Sequence, residues 1–265
     1  MSDKSSVNYA GYLQLDKILD AQSPRGETDM EHDEHLFIVI HQVYELWFKQ
    51  LLHELDEVCR RLNSDNIVPA MQLLKRSLTI LKVMVGQLDV LETMTPLEFS
   101  AFRERLDRAS GLQSFQFREF EFLLGLKRDN VFKRYAADSA EYGQLKKRFG
   151  EPGLWDVFLQ LLSRRGYPIP EDVLKRDVTK TIEASIEVQN VIETVYRKDP
   201  EMMQVCERLT DLDEGVQEWR YRHIKMVQRT IGVKMGTGGS DGAGYLIATL
   251  NAPFFPDLWD VRAVL

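Results

Sequence analysis

Two histidines in this chain lie in contexts that can do chemistry. His41 sits in Leu36-Phe37-Ile38-Val39-Ile40-His41-Gln42-Val43-Tyr44-Glu45-Leu46-Trp47-Phe48-Lys49. His223 sits in Trp219-Arg220-Tyr221-Arg222-His223-Ile224, followed by Val227-Gln228-Arg229 and the run Gly232-Val233-Lys234-Met235-Gly236-Thr237-Gly238-Gly239-Ser240. Imidazole titrates near neutrality, and its neutral nitrogen ligates iron, zinc or copper. The chain has five histidines, and two so placed suit a haem pocket, one ligating iron and one on the distal side. Spacing alone leaves plainer readings open: a satisfied core histidine for His41, and a basic helix surface for His223 among Arg220, Arg222, Lys225 and Arg229. His32 and His35, beside Asp33 and Glu34, read as a solvated helix start. His53 reads as a helix-surface residue.

Other side chains complement the pair. Arg103 follows Phe99 and Phe102, and an arginine fork among aromatics suits the carboxylate of an aromatic substrate. A surface arginine beside Glu104 and Arg105 is the alternative. Ser110-Gly111-Leu112-Gln113-Ser114 reads as a loop entering a helix, with small groups that permit close approach. The loop from Gly236 to Gly244 is not a dinucleotide fingerprint: it follows a helix, and Asp241 takes the final glycine position. Closely spaced glycines let backbone and the Thr237 hydroxyl approach a ligand; a plain flexible loop is the alternative.

Positioning these groups falls to helices. Apolar residues Leu36, Ile40, Val43, Trp47, Leu51 and Leu55 recur at helical spacing, which predicts a helix from about Asp33, as its cap, to Asn63. A second is expected from about Pro69 to Met94. Thr95-Pro96-Leu97-Glu98 is a start signal with a capping box and a first-turn proline. Further helices are expected over 114–125, from Glu151-Pro152-Gly153 to near Gly166, and from Asp199-Pro200 to Gly232. The tail from Ala252 to Leu265 is aromatic and is expected to pack. Residues 1–8 read as disordered and 9–21 as an N-terminal arm. The chain reads as one all-α domain spanning 1–265, a helical bundle built on long helices (33–63, 69–94 and 200–231), with no alternating strand pattern, internal repeat or low-complexity segment.

Composition narrows the function classes. The 265 residues are 44% hydrophobic and 28% charged, ordinary for a soluble globular protein. A net charge of −7 disfavours a nucleic-acid binder, which needs a basic surface. Cys59 and Cys206 lack metal-type spacing and read as reduced, inert thiols, which sets aside structural zinc and iron–sulfur clusters. The polar start and the absence of a long apolar run predict no membrane span and a cytoplasmic location.

Ordered blocks along almost the whole chain resemble the tryptophan 2,3-dioxygenase family. They are Tyr9-Ala10-Gly11-Tyr12-Leu13, His32 to Ile38, His41 to Lys49, Leu91 to Pro96, Phe102-Arg103, Ala109 to Ser114, Arg222-His223 and Gly236 to Ser240. The resemblance implies an all-α homotetramer with one haem b per subunit held between the helices. It implies His223 as the iron ligand, with Phe102, Ser110, Gly111 and Val227 beside the haem. It implies His41 as the distal catalytic histidine that bonds the indole N–H. Arg103 takes the substrate carboxylate and Thr237 its amino-acid end, while Phe37, Phe99 and Phe102 form pocket walls. Tyr9, Tyr12 and Leu13 belong to an arm that completes a neighbouring subunit's site. Three positions depart from the pattern: Phe99 where some members carry tyrosine, Leu112 for phenylalanine, and Asp241 where a second serine is more usual.

The implied reaction is cleavage of the indole C2–C3 bond of L-tryptophan with O2, giving N-formyl-L-kynurenine, the first step of the kynurenine pathway. Two alternatives share the same pocket. One is a monooxygenase of the same superfamily that inserts one oxygen into a tryptophan derivative. The other is a non-catalytic haem or tryptophan sensor.

Overall fold

Helical periodicity in the chain becomes helix nearly everywhere. The computed structural model describes residues 8–107, 109–232, 247, 249–250 and 252–265. Among these there is no strand. Three long helices dominate: α3 (Glu34–Asn63), α4 (Ile67–Leu91) and α11 (Pro200–Ile231). Before them come two short ones, α1 (Tyr9–Leu13) and α2 (Leu15–Leu19). Between α4 and α11 lie α5 (Pro96–Arg103), α6 (Phe115–Leu123), α7 (Ala140–Phe149), α8 (Leu154–Arg164), α9 (Glu171–Leu174) and α10 (Ile186–Lys198). A last helix, α12 (Pro256–Asp260), closes the chain.

Local signals explain most boundaries. Thr95 and Glu98 form the expected reciprocal cap of α5, the Thr95 amide donating to Glu98 Oε2 at 2.7 Å. Asp199 caps α11 by accepting from the Met202 amide at 3.0 Å, and Pro200 sits in the first turn. Gly232 ends α11 with φ +62°, a conformation that favours glycine. Two starts differ from expectation. Asp33 stands at the N-cap of α3, but its side chain makes no capping bond. Instead Glu34 turns back and accepts the amides of Arg25 and Gly26, so a tertiary contact replaces the local cap. Helix α4 begins at Ile67, with Pro69 inside its first turn, where a missing N–H costs nothing. Helices α7 and α10 had no expectation attached; Ser139 and Ser185 cap them.

Packing places α4 against both α3 and α11. The Tyr44 hydroxyl donates to the Met84 carbonyl at 2.7 Å across the first pair. The backbones of α3 and α11 do not run in close contact; they meet through Tyr44, Phe48 and Trp219, with ring centroids 5.8–6.2 Å apart. Helices α6 and α8 pack against α3. One continuous apolar cluster joins these helices to Phe254, Phe255, Leu258 and Val261 of the tail, which packs as expected. Burial pushes the Cys59 thiol up to about 12 and raises Cys206 as well, so both stay protonated. No helix among the described residues is long and apolar enough to cross a membrane.

Candidate active site

Helical spacing decides which side chains meet. On α3, Phe37, His41, Tyr44, Glu45 and Phe48 share one face; on α11, Trp219, His223, Val227 and Ile231 do the same. Both faces line one cavity of about 250 Å3. Helix α5 adds Phe99 and Arg103, the 110–114 stretch adds Ser110, Gly111 and Leu112, and α6 adds Phe117 and Arg118. The cavity therefore gathers Phe37, His41, Phe99, Arg103, Ser110, Gly111, His223 and Val227 from the sequence expectations.

Four expected residues fall elsewhere. Phe102 is fully buried behind the wall, packed on Phe37 and Phe99 with centroids 5.6 and 5.4 Å away, and does not line the cavity. Tyr9, Tyr12 and Leu13 stand on α1, exposed, and do not line this chain's cavity. Thr237 and Asp241 lie outside the described residues.

His41 has a defined tautomer. Its Nδ1 is 2.7 Å from the Phe37 carbonyl, and a carbonyl can only accept. Nδ1 therefore carries the proton, and Nε2 keeps a lone pair. Burial lowers the pKa of His41, outweighing the Phe37 bond and the charge of Glu45. His223 lies nearly parallel to Trp219, at 4° with centroids 5.3 Å apart. Burial, then the nearby His41 and Arg118, lower its pKa to about 4. Its imidazole is neutral at physiological pH, and no described residue hydrogen-bonds it. The basic-surface reading holds only for its neighbours: Arg222 pairs with Asp89 at 2.6 Å and Arg229 with Glu92 at 3.2 Å. Those bonds tie α11 to α4 and leave His223 facing the cavity.

A charged cluster was not anticipated. Glu121 is fully buried and meets Arg118 at 2.5 Å, Arg128 at 2.9 Å and Arg220 at 3.1 Å. Burial alone raises its pKa, but the three guanidiniums reverse this and hold it below the ordinary carboxylate value. These four residues sum to net positive charge, and three of them line the cavity. Arg118 Nε is buried with no hydrogen-bond partner. An unpaired buried donor of this kind is costly unless an anion meets it. The signal was present in Phe115-Gln116-Phe117-Arg118-Glu119-Phe120-Glu121-Phe122-Leu123: charges on every side of so aromatic a helix cannot all reach water.

The donor set limits what metal chemistry is possible. Among the described residues no three His, Cys, Asp or Glu side chains converge as a metal site. The arrangement offers one neutral ligand, one hydrogen-bond acceptor at His41, an aromatic wall, and cations at two places.

A family model described as tryptophan 2,3-dioxygenase matches residues 1–195 and 188–265. A protein named tryptophan 2,3-dioxygenase from Herpetosiphon aurantiacus is 56% identical over 98% of this chain and 99% of its own length. One of the same name from Anaeromyxobacter dehalogenans is 52% identical, covering 98% and 97%. Another from Bacillus thuringiensis is 42% identical, covering 99% and 94%.

Proposed function

The chain belongs to the tryptophan 2,3-dioxygenase family, and on that premise we propose that it cleaves the indole C2–C3 bond of L-tryptophan with O2, giving N-formyl-L-kynurenine. The observation that carries the site assignment is that one cavity receives His223, His41 and Arg103 from three separate helices.

The residues present fit haem b. His223 is neutral, half-buried and free to ligate, and Trp219 stacks against it. The net positive cluster with its unpaired Arg118 Nε suits the carboxylates of a haem. Haem, when bound, supplies the activation of O2 and its transfer to the indole. The chain supplies position and dryness. His41 Nε2 accepts the indole N–H and holds the ring in one orientation. Phe37 and Phe99 pack the ring and exclude water. Arg103 takes the substrate carboxylate, with Thr237 at the same end. Ser110, Gly111 and Val227 frame the haem, and Phe102 backs the wall behind Phe37 and Phe99. We read the active form as a cytoplasmic homotetramer in which Tyr9, Tyr12 and Leu13 of one subunit reach a neighbour's site. Their exposure on α1 supports that reading.

Mass spectrometry after turnover of L-tryptophan under labelled O2 tests the function. Two labelled oxygens in a ring-opened product are expected. One labelled oxygen in a ring-intact product establishes the monooxygenase instead. No product despite a tryptophan-responsive haem spectrum establishes a binding role.

A further inference from the structure

Arg103 stands where α5 gives way to a tighter turn over Glu104–Leu106. That turn ends at Asp107 with φ +49°, so regular helical bonding stops within one turn of Arg103. Arg105 anchors the chain at this point. Its Nε donates to Glu31 Oε1 and its Nη2 to Glu31 Oε2 at 3.2 Å. Glu31 is itself buried, and its Oε2 also accepts the amides of Glu27 at 2.9 Å and Thr28 at 3.1 Å. Beside it, Glu34 Oε2 accepts the amides of Arg25 and Gly26 at 2.8 and 2.7 Å. Arg25 Nη1 reaches back to the Arg105 carbonyl at 3.4 Å. Two buried carboxylates thus clamp residues 25–28 and, through Arg105, the chain just past Arg103. Neither Glu31 nor Arg105 lines the cavity.

We infer that the Glu31–Arg105 pair is a positioning device for Arg103, setting where its guanidinium meets the substrate carboxylate. The inference rests on the proposed function, in which Arg103 makes that contact. A fork that must meet two oxygens at once tolerates little displacement. The pair also ties the 25–28 segment to this point, and because it lies outside the cavity its effect on substrate runs through the chain it holds. The neighbouring guanidinium, and then the Glu27 amide, keep the Glu31 carboxyl down at about 2, so the clamp stays charged at every working pH.

The test uses the full-length, haem-loaded protein and the variant Glu31→Gln, which keeps the side chain's size and loses the ion pair. Affinity for L-tryptophan, read by spectral titration, is expected to fall roughly tenfold. The kcat is expected to stay within about twofold, with haem content unchanged. Arg105→Lys, which keeps the charge and loses the fork, is expected to fall between. In an Arg103→Ala background, Glu31→Gln is expected to cost nothing further, because its effect runs through Arg103. An equal loss in both backgrounds, or none in either, overturns the inference while the function stands. A wild-type protein that does not bind L-tryptophan overturns the functional reading and the inference with it.

Discussion

His41 and His223 are the same side chain in two settings. His41 donates Nδ1–H to its own helix and keeps Nε2 as an acceptor, whereas the described residues leave the His223 ring without a hydrogen bond. His223→Ala is expected to abolish stable haem loading; a variant with a normal histidine-ligated Soret spectrum assigns the ligand elsewhere. Arg103→Ala is expected to weaken tryptophan binding by about 2 kcal/mol with haem retained, since it removes charge-assisted bonds to a carboxylate. Loss of haem in proportion to activity, measured on the purified variant, argues against that role. The lowered pKa of His41 has a pH consequence. Binding needs the neutral ring, so tryptophan affinity is expected to stay level from pH 8 down to the ordinary histidine value of 6.5 and to fall only below it. Titrations in which affinity already declines above pH 6.5 contradict this. The same shift costs folding stability as pH falls below 6.5, because there the unfolded chain takes up the proton before the folded one does.

Helix faces then decide which residues cooperate. On α11, one face carries Arg222 and Arg229 to the acids of α4, and another carries His223 into the cavity. Deeper in the same helix, Asp213 holds the tail. Its Oδ2 accepts from the Phe254 and Phe255 amides and from Trp259 Nε1, at 2.9, 3.0 and 3.0 Å, while Oδ1 accepts from Gln217. Arg220, two turns on, spans from Glu121 to the Thr249 carbonyl. Asp213→Ala is expected to cost about 3 kcal/mol or more, because it strands several buried donors. A lowered Tm with protease cleavage near residue 252 is the expected signature; a tail as resistant as in the wild type refutes the anchoring.

The whole molecule leaves α1 and α2 without a buried residue, with Tyr9 and Tyr12 about three-quarters exposed. Among the described residues, hydrogen bonds tie them on at their end, where Gln22 donates to Gln42 at 2.7 Å and Gln42 to the Ala21 carbonyl at 2.8 Å. Exposed aromatics on so short a helix fit the proposed arm exchange, in which a neighbouring subunit supplies the covering surface. Removal of residues 1–20 is expected to leave each subunit folded and haem-loaded but poorly active. Co-refolding with full-length His223→Ala subunits is expected to restore activity, since the inactive chains donate intact arms. Unchanged activity in the truncated protein sinks the arm exchange.

Much of this molecule was legible in the chain. Long apolar periodicity, Thr95-Pro96-Leu97-Glu98, Asp199-Pro200 and Gly232 dictate the long helices, because those signals act within one or two turns. His41, His223 and Arg103 stood out by type and neighbours only as candidates; their roles followed from the family resemblance. The Asp33 cap was not legible, since Glu34 found better partners in the folded loop. The Glu121 cluster draws on α6, α11 and the segment after α6, and the Glu31–Arg105 pair spans 74 residues. Buried charge of that kind exists only once elements meet and exclude water. Local chemistry thus determined the long helices and offered candidate side chains; tertiary packing alone decided which charges are buried beside them and what holds them in place.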